Sequence, residues 1–283
     1  MSNESPQSAQ RALICLGDGP RDHNALKFAK QVTMAYHLRP ILLHVVEEGR
    51  EISRGEKIVA GALGAFRLQM AETRVVGGRF EDVVQSELAS GMYRLVVLGT
   101  TKRPPEQKPS PLVRRLTLRA STNVLYIKSP DGQLDNLLLC TAGHPGSVRI
   151  VDMGLQAAMI MGARATILHV TSHPPAMYTG LARIDQDLKE VLARDTPLAQ
   201  HLRRVAFLAD QLGVNADIQL RHGTVVEEII RASEMEKYDI VVMGTAPVGH
   251  AMDRLLLGDI VPQVLASVPT SLLIVRSSPP EGP

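Results

Sequence analysis

The chain of 283 residues contains no tryptophan, four phenylalanines and five tyrosines. So little aromatic surface implies an aliphatic core and disfavours the aromatic platforms on which single-stranded nucleic acid stacks. There are two cysteines, Cys15 and Cys140. Each lies in an apolar run with no CxxC spacing and no ligand cluster beside it, which excludes a disulfide scaffold and gives no zinc signature. A reduced compartment is the expectation, and a cytoplasmic location with it. No apolar run reaches about 18 residues, so no membrane-spanning helix is expected. The polar start MSNESPQSAQ does not read as a signal peptide. The formal charge of +2 is too small to name an anionic partner, and no DNA-binding motif is present, so nucleic acid is not an expected partner. What the chain does have is an ordinary globular balance, 45% hydrophobic and 21% charged, and a length that suits two domains of about 150 residues.

Those two domains are copies of one another. Cys15 and Cys140 are 125 residues apart, in the matching segments RALICLGDG and NLLLCTAGH. At the same offset ILLHVVE matches TILHVTS, with His44 opposite His169. VVLGT (96–100) matches VVMGT (241–245) at an offset of 145, as Gly78 matches Gly223, and NVLYIK (123–128) matches SLLIVR (271–276) at 148. The order is the same in both halves, the signature of a duplication. The offset grows by 20 between residues 47 and 78, so the second copy carries a longer middle segment. The Pro/Gly/Asp segment KSPDGQLD (128–135) marks the boundary, giving domains 1–130 and 131–283.

Short Leu/Val/Ile runs predict strands near 12–17, 40–46, 73–77, 94–99 and 123–128, then 136–141, 164–170, 215–220, 239–244 and 271–276. Helical patterns lie near 22–38, 55–71, 80–91 and 111–121, then 146–162, 182–194, 197–213, 224–237 and 259–268. In 197–213 Leu198, Leu202, Val205, Ala209 and Leu212 form one apolar stripe. Alternating strands and helices imply an α/β fold with a doubly wound parallel sheet in each copy, whose ligand edge lies at the carboxyl ends of the strands.

The second copy's YDIVVMGTAPVGHAMDRLLLGDIVPQVLASVPTSLLIV (238–275), with RHGTVVEEIIRASEMEKYD (221–239) before it and the ILHV strand, resembles a universal stress protein domain. LGDGPRDHNALKFAKQV resembles the start of the same domain in the first copy. The resemblance covers about 12–128 and 136–276 as a tandem pair. It implies five-stranded, mainly parallel sheets of order 3-2-1-4-5 flanked by helices, paired through their last strands as an intramolecular pseudo-dimer, with a homodimer as a further option. It also implies an adenine nucleotide such as ATP as ligand. An acid at the end of the first strand and the backbone after the second hold adenine and ribose in that family, and the loop G-x2-G-x9-G-[S/T] holds the phosphates. The corresponding positions are Asp18, Val45 and Gly99 in the first copy, and Gly143, Val170, Gly244, Gly249, Gly258 and Asp259 in the second.

Both copies depart from the motif. The second has Gly143 in place of the acid, spacings of x4 and x8 between its loop glycines, and Asp259 in place of the hydroxyl residue. As an N-cap, Asp259 would satisfy the helix N–H groups that phosphate needs. The first keeps Asp18, which also suits a plain Asp-Gly-Pro turn, but follows Gly99 with TTKRPPEQKPSP. Residues 94–119 there carry seven basic residues (Arg94, Lys102, Arg103, Lys108, Arg114, Arg115, Arg119) against Glu106. These read either as an anion site built from side chains or as a solvated loop and helix face.

His44 and His169 read as structural. His144, His222 and His250, with Asp259, are candidates for a metal or acid–base group. Ser147 in GHPGS is not a nucleophile elbow. Both cysteines read as small buried apolar residues, and SHPPAMYTG (172–180) as a surface loop or flap. The functional expectation is a non-enzymatic stress-response regulator with degenerate adenine-nucleotide sites. A nucleotide-independent interaction scaffold stands beside it, and a weak ATP-binding switch or ATP-hydrolysing enzyme is the third reading. No protein partner is named by the sequence.

Overall fold

The computed structural model describes residues 11–17, 20–66, 71–99, 108–119, 122–128, 134–171, 188–245 and 260–276. The chain divides into two compact units, Met1–Gly132 and Gln133–Pro283. The first unit runs β1 (Arg11–Leu16), α1 (Pro20–Ala35), β2 (Arg39–Val46), α2 (Ile52–Phe66), β3 (Glu72–Gly77), α3 (Phe80–Ala89), β4 (Tyr93–Gly99), α4 (Pro111–Arg119) and β5 (Asn123–Ile127). Its strands lie in the order β3-β2-β1-β4-β5, and every described pairing is parallel. A parallel strand needs helices on both of its faces. Accordingly Leu13, Ile14, Leu42, Leu43, Val96, Val97, Val124 and Leu125 are all at most 2% exposed.

The second unit runs β6 (Asn136–Thr141), a 3-10 turn (Pro145–Ser147), α5 (Val148–Met161), β7 (Arg164–Thr171), α6 (Leu188–Ala193), α7 (Pro197–Gln211), β8 (Ala216–His222), α8 (Val225–Met235), β9 (Ile240–Gly244), α9 (Ile260–Ser267) and β10 (Ser271–Val275). Its order, β8-β7-β6-β9-β10, repeats that of the first unit, again with parallel pairings. The expected order 3-2-1-4-5 is thus present in each unit. Apart from the helix predicted at 182–194, helix ends differ from the sequence reading by at most five residues, because a frayed last turn carries little apolar pattern. The predicted helix 182–194 is described only over Leu188–Ala193.

Local chemistry accounts for several of the element ends. Thr196 caps α7, its hydroxyl accepting from Ala199 N at 3.2 Å, and Pro197 follows at the first helical position. Gly162 closes α5 in the left-handed conformation (φ 65°). Gly78 and Gly223, equivalent in sequence, adopt φ 141° and 150°, which only glycine takes readily. Their amides donate to equivalent carbonyls, those of Val46 and Thr171.

Candidate functional site

The carboxyl edge of each sheet is where a doubly wound fold offers a ligand site. Both edges are organised by the same histidine. His44 Nδ1 lies 3.1 Å from the carbonyl of Leu16, and His169 Nδ1 lies 3.0 Å from that of Thr141. In each case a strand-two imidazole donates to the last carbonyl of strand one. That carbonyl would otherwise leave the ladder unpaired at a buried position. The rings are 4% and 8% exposed, so the structural reading of both histidines holds.

Beyond this shared bond the units diverge. In the second, Gly143 has φ 76°, and a Cβ there would lie 2.5 Å from His169 Cε1 and 2.8 Å from Leu198 Cδ1. In this backbone conformation a side chain at the position matched to the family's first-strand acid would overlap the histidine ring and a leucine from α7. Gly244 repeats the pattern at the end of β9. A Cβ on it would run into the end of the Ile150 side chain, whose Cγ1 would be 2.9 Å away. In the first unit the equivalent pair is Gly99 and Ala25, and a Cβ on Gly99 would meet Ala25 Cβ at an ordinary 3.7 Å.

A polar chain runs beneath Gly143. His201 Nε2 lies 2.7 Å from Thr141 Oγ1, which lies 2.9 Å from Ser147 Oγ, and Ser147 donates to the carbonyl of His144 at 2.7 Å. The serine proton goes to the carbonyl, so Thr141 donates to Ser147 and His201 Nε2–H donates to Thr141. The Gly143 amide also points at Thr141 Oγ1, at 3.4 Å. His201 Nδ1 is then a bare lone pair, buried and without a partner among the described residues. Burial, followed by the neighbouring rings of His169 and His144, pushes His201 down to about 4. Burial lowers His169 as well, against its bond to the Thr141 carbonyl. These imidazoles stay neutral near pH 7, and Ser147, 1% exposed with its proton committed to a carbonyl, is no nucleophile.

The remaining candidates separate. Val45 and Val170 are the next-to-last residues of β2 and β7, opposite Val76 and Arg221 in the ladders. His222 Nδ1 lies 2.6 Å from Thr171 Oγ1, tying the ends of β8 and β7. Among the described residues no group of three or more His, Cys, Asp or Glu is arranged to hold a metal ion. Cys15 and Cys140 are both free, and burial pushes their thiols up to about 12, which makes them poor nucleophiles. Lys108 and Arg114 are exposed, and Arg115 pairs with Glu81 at 3.4 Å. Asp18, Lys102, Arg103, Met177, Gly249, His250, Gly258 and Asp259 lie outside the described residues. Sequence reasoning placed Leu198 in the apolar stripe of α7 alone and passed over His201 and Ile150. The signal for His201 was present: it stands three residues after Leu198 and one before Leu202, on the flank of the apolar stripe of α7.

The adenine nucleotide implied by the resemblance does not fit the described residues of the second unit. The carboxylate is absent at Gly143, its space belongs to His169 and Leu198, and Ile150 lies over the first loop glycine.

No helix among the described residues is long and apolar enough to cross a membrane. The universal stress protein family model matches residues 133–276. A universal stress protein of Thermus aquaticus, from the 3' region of a QAH/OAS sulfhydrylase gene, is 31% identical over 140 residues, which is 50% of this chain and 97% of that protein. One from Methanocaldococcus jannaschii is 22% identical over 150 residues, 53% of this chain and 86% of its own. In fold, the chain is similar to a universal stress protein from Archaeoglobus fulgidus, with a TM-score of 0.67 at 15% identity, covering 96% of this chain and all of the other. With two units of one strand order, equivalent histidines capping equivalent carbonyls and a family match across the second unit, this chain belongs to the universal stress protein family.

Proposed function

We propose that the protein is a non-enzymatic regulatory binding protein whose two adenine-nucleotide sites have degenerated to different degrees. The observation that carries this reading is Gly143 packed against His169 and Leu198: a ligand-edge position has been given over to internal packing. The absence of chemistry in the reading rests on side chains of both units. Ser147 is buried and bonded to a carbonyl, the thiols are held protonated, and His201 is held neutral with its Nε2 bonded to Thr141. A ligand bound on such an edge acts by biasing shape and partner choice, not by being converted. The scaffold reading is favoured, for the second unit alone, by Ile150 over Gly244.

Calorimetric titration of the full chain with ATP, run beside a phosphate-release assay, tests the proposal. Weak binding with phosphate release at the buffer rate is the expected result. Release well above that rate would overturn the non-enzymatic reading.

A further inference from the structure

The outer strand of the second unit has β7 on one side and, among the described residues, no strand on the other. Two bonds fix which backbone groups of β8 face β7. The Ala165 amide donates to the carbonyl of Asn215 at 3.0 Å, and the Gly223 amide donates to that of Thr171 at 3.0 Å. The ladder keeps one register between them. Asp217, Gln219 and Arg221 therefore direct their N–H and C=O groups at β7, and Ile218 and Leu220 direct theirs at the open edge. An open edge is a template for another strand, commonly blocked by proline, lysine or a very short strand. β8 is seven residues long, ADIQLRH, with neither proline nor lysine.

This strand is complementary to itself. Gln219 is its central residue. In an antiparallel pair of two copies with the two-fold axis at Gln219, Ile218 of one copy faces Leu220 of the other, and Asp217 faces Arg221. The phase suits pairing, because Ile218 and Leu220 are the residues with outward backbone groups and exchange both of their hydrogen bonds. Asp217–Arg221 and Gln219–Gln219 fall at the non-hydrogen-bonded positions, where Cα atoms lie about 4.5 Å apart and side chains are closest. Opposite charges thus meet on each side of the axis. The Asp217 side chain is 66% exposed, with Arg164 at 3.5 Å. Arg221 has Glu228 and Glu236 on its own chain, at 3.9 and 3.6 Å. The first unit's outer strand has the same phase, since Gly78 donates to Val46 as Gly223 does to Thr171. Arg74 stands where Gln219 does. The same register there sets Arg74 against Arg74 on the axis and Glu72 against Val76, a like-charge contact without compensation.

We propose that two copies of this chain associate through β8, antiparallel about Gln219, so that their second-unit sheets become continuous. The interface is isologous and closes at two copies. Antiparallel strands put the carboxyl edges of the joined sheets at opposite ends, so each copy keeps its own ligand edge. The association does not depend on nucleotide.

Analytical ultracentrifugation of the full chain over a range of concentrations tests the proposal, and a monomer–dimer equilibrium is expected. Asp217→Arg turns both cross-strand attractions into repulsions and is expected to weaken the dimer about tenfold or more. Ile218→Pro removes an outward N–H that the β7 ladder does not use and is expected to abolish the dimer. Gln219→Cys places two thiols on the axis at a separation a disulfide spans. Mild oxidation is expected to link its chains, whereas Thr73→Cys, on the first unit's outer strand, is expected to stay unlinked. If Ile218→Pro does not fold, Asp217→Arg and the crosslink decide the matter. A chain monomeric at every concentration, a dimer indifferent to Asp217→Arg, or Gln219→Cys that does not crosslink overturns the proposal. Assemblies that grow beyond two copies overturn it too, since they require a head-to-tail contact.

Discussion

At the scale of the residue, Gly143 and His201 are the positions where sequence and structure say most about each other. Gly143 combines a positive φ with a buried ring 2.5 Å from a Cβ position. Gly143→Ala is therefore expected to cost about 2–4 kcal/mol through backbone strain and overpacking together. Gly162→Ala, at φ 65° with open space around it, is expected to cost only ~1 kcal/mol. Urea midpoints of the two variants check the difference. His201 makes a pH prediction. Its folded value, about 4, lies below the ordinary 6.5, so the unfolded chain takes up a proton that the folded ring refuses. The stability it contributes is fully present above pH 6.5 and is lost as pH falls from there to about 4, a loss of roughly 3 kcal/mol. His169, lowered in the same direction, adds to that loss. His201→Leu removes the ring and should flatten the acid limb of a stability–pH curve measured by denaturant unfolding. An unchanged limb would mean the ring does not resist protonation.

At the scale of the element, both units join a tyrosine, the first residue of strand four in one and two residues before it in the other, to the end of the preceding helix. Tyr93 donates to Glu87 at 2.7 Å, and Glu87 is held from β3 by Arg74 at 2.7 Å. Burial alone would raise Glu87, but the bonds from Tyr93 and Arg74 outweigh it and keep it below the usual carboxylate range. In the second unit Tyr238 donates to Glu236 at 2.5 Å, with Gln219 at 3.1 Å and Arg221 at 3.6 Å from the same carboxylate. The tyrosines are equivalent in sequence, whereas the glutamates come from different positions. Glu87→Ala leaves Arg74 and Tyr93 unpaired at a half-buried junction and is expected to cost about 1–3 kcal/mol. Tyr93→Phe, which leaves the ion pair intact, is expected to cost ~1 kcal/mol by the same denaturant assay. The strands and their order were legible from Leu/Val/Ile runs and the repeat offsets, because buried parallel strands leave no other pattern. The first unit's clamp was not legible, because its partners are 6 to 13 residues apart and meet only across elements.

At the scale of the whole molecule, one duplicated framework carries two different ligand edges. The imidazole–hydroxyl chain of His201, Thr141 and Ser147 exists in the second unit alone, since Leu16 stands where Thr141 does. Acid sensitivity is therefore expected to be unequal between the units. Hydrogen exchange compared between pH 7 and pH 5, corrected for intrinsic rates, should show 136–141 and 164–171 losing protection before 11–16 and 39–46 do. Equal loss in both would place the acid-sensitive groups elsewhere.

The sequence by itself determined the duplication, the parallel α/β architecture, the family and the departures from its nucleotide motif. All of these rest on short-range pattern, on apolar periodicity and on segments that can be matched at a fixed offset. Tertiary structure alone decided what the departures mean. Gly143 reads in sequence as a lost carboxylate, and in space as room taken by His169 and Leu198. Gly244 reads as a surviving loop glycine, and in space as the seat of Ile150. The reason is that a vacancy in a motif is one-dimensional information. Whether it is filled depends on side chains from other elements, brought there by packing between residues far apart in the chain.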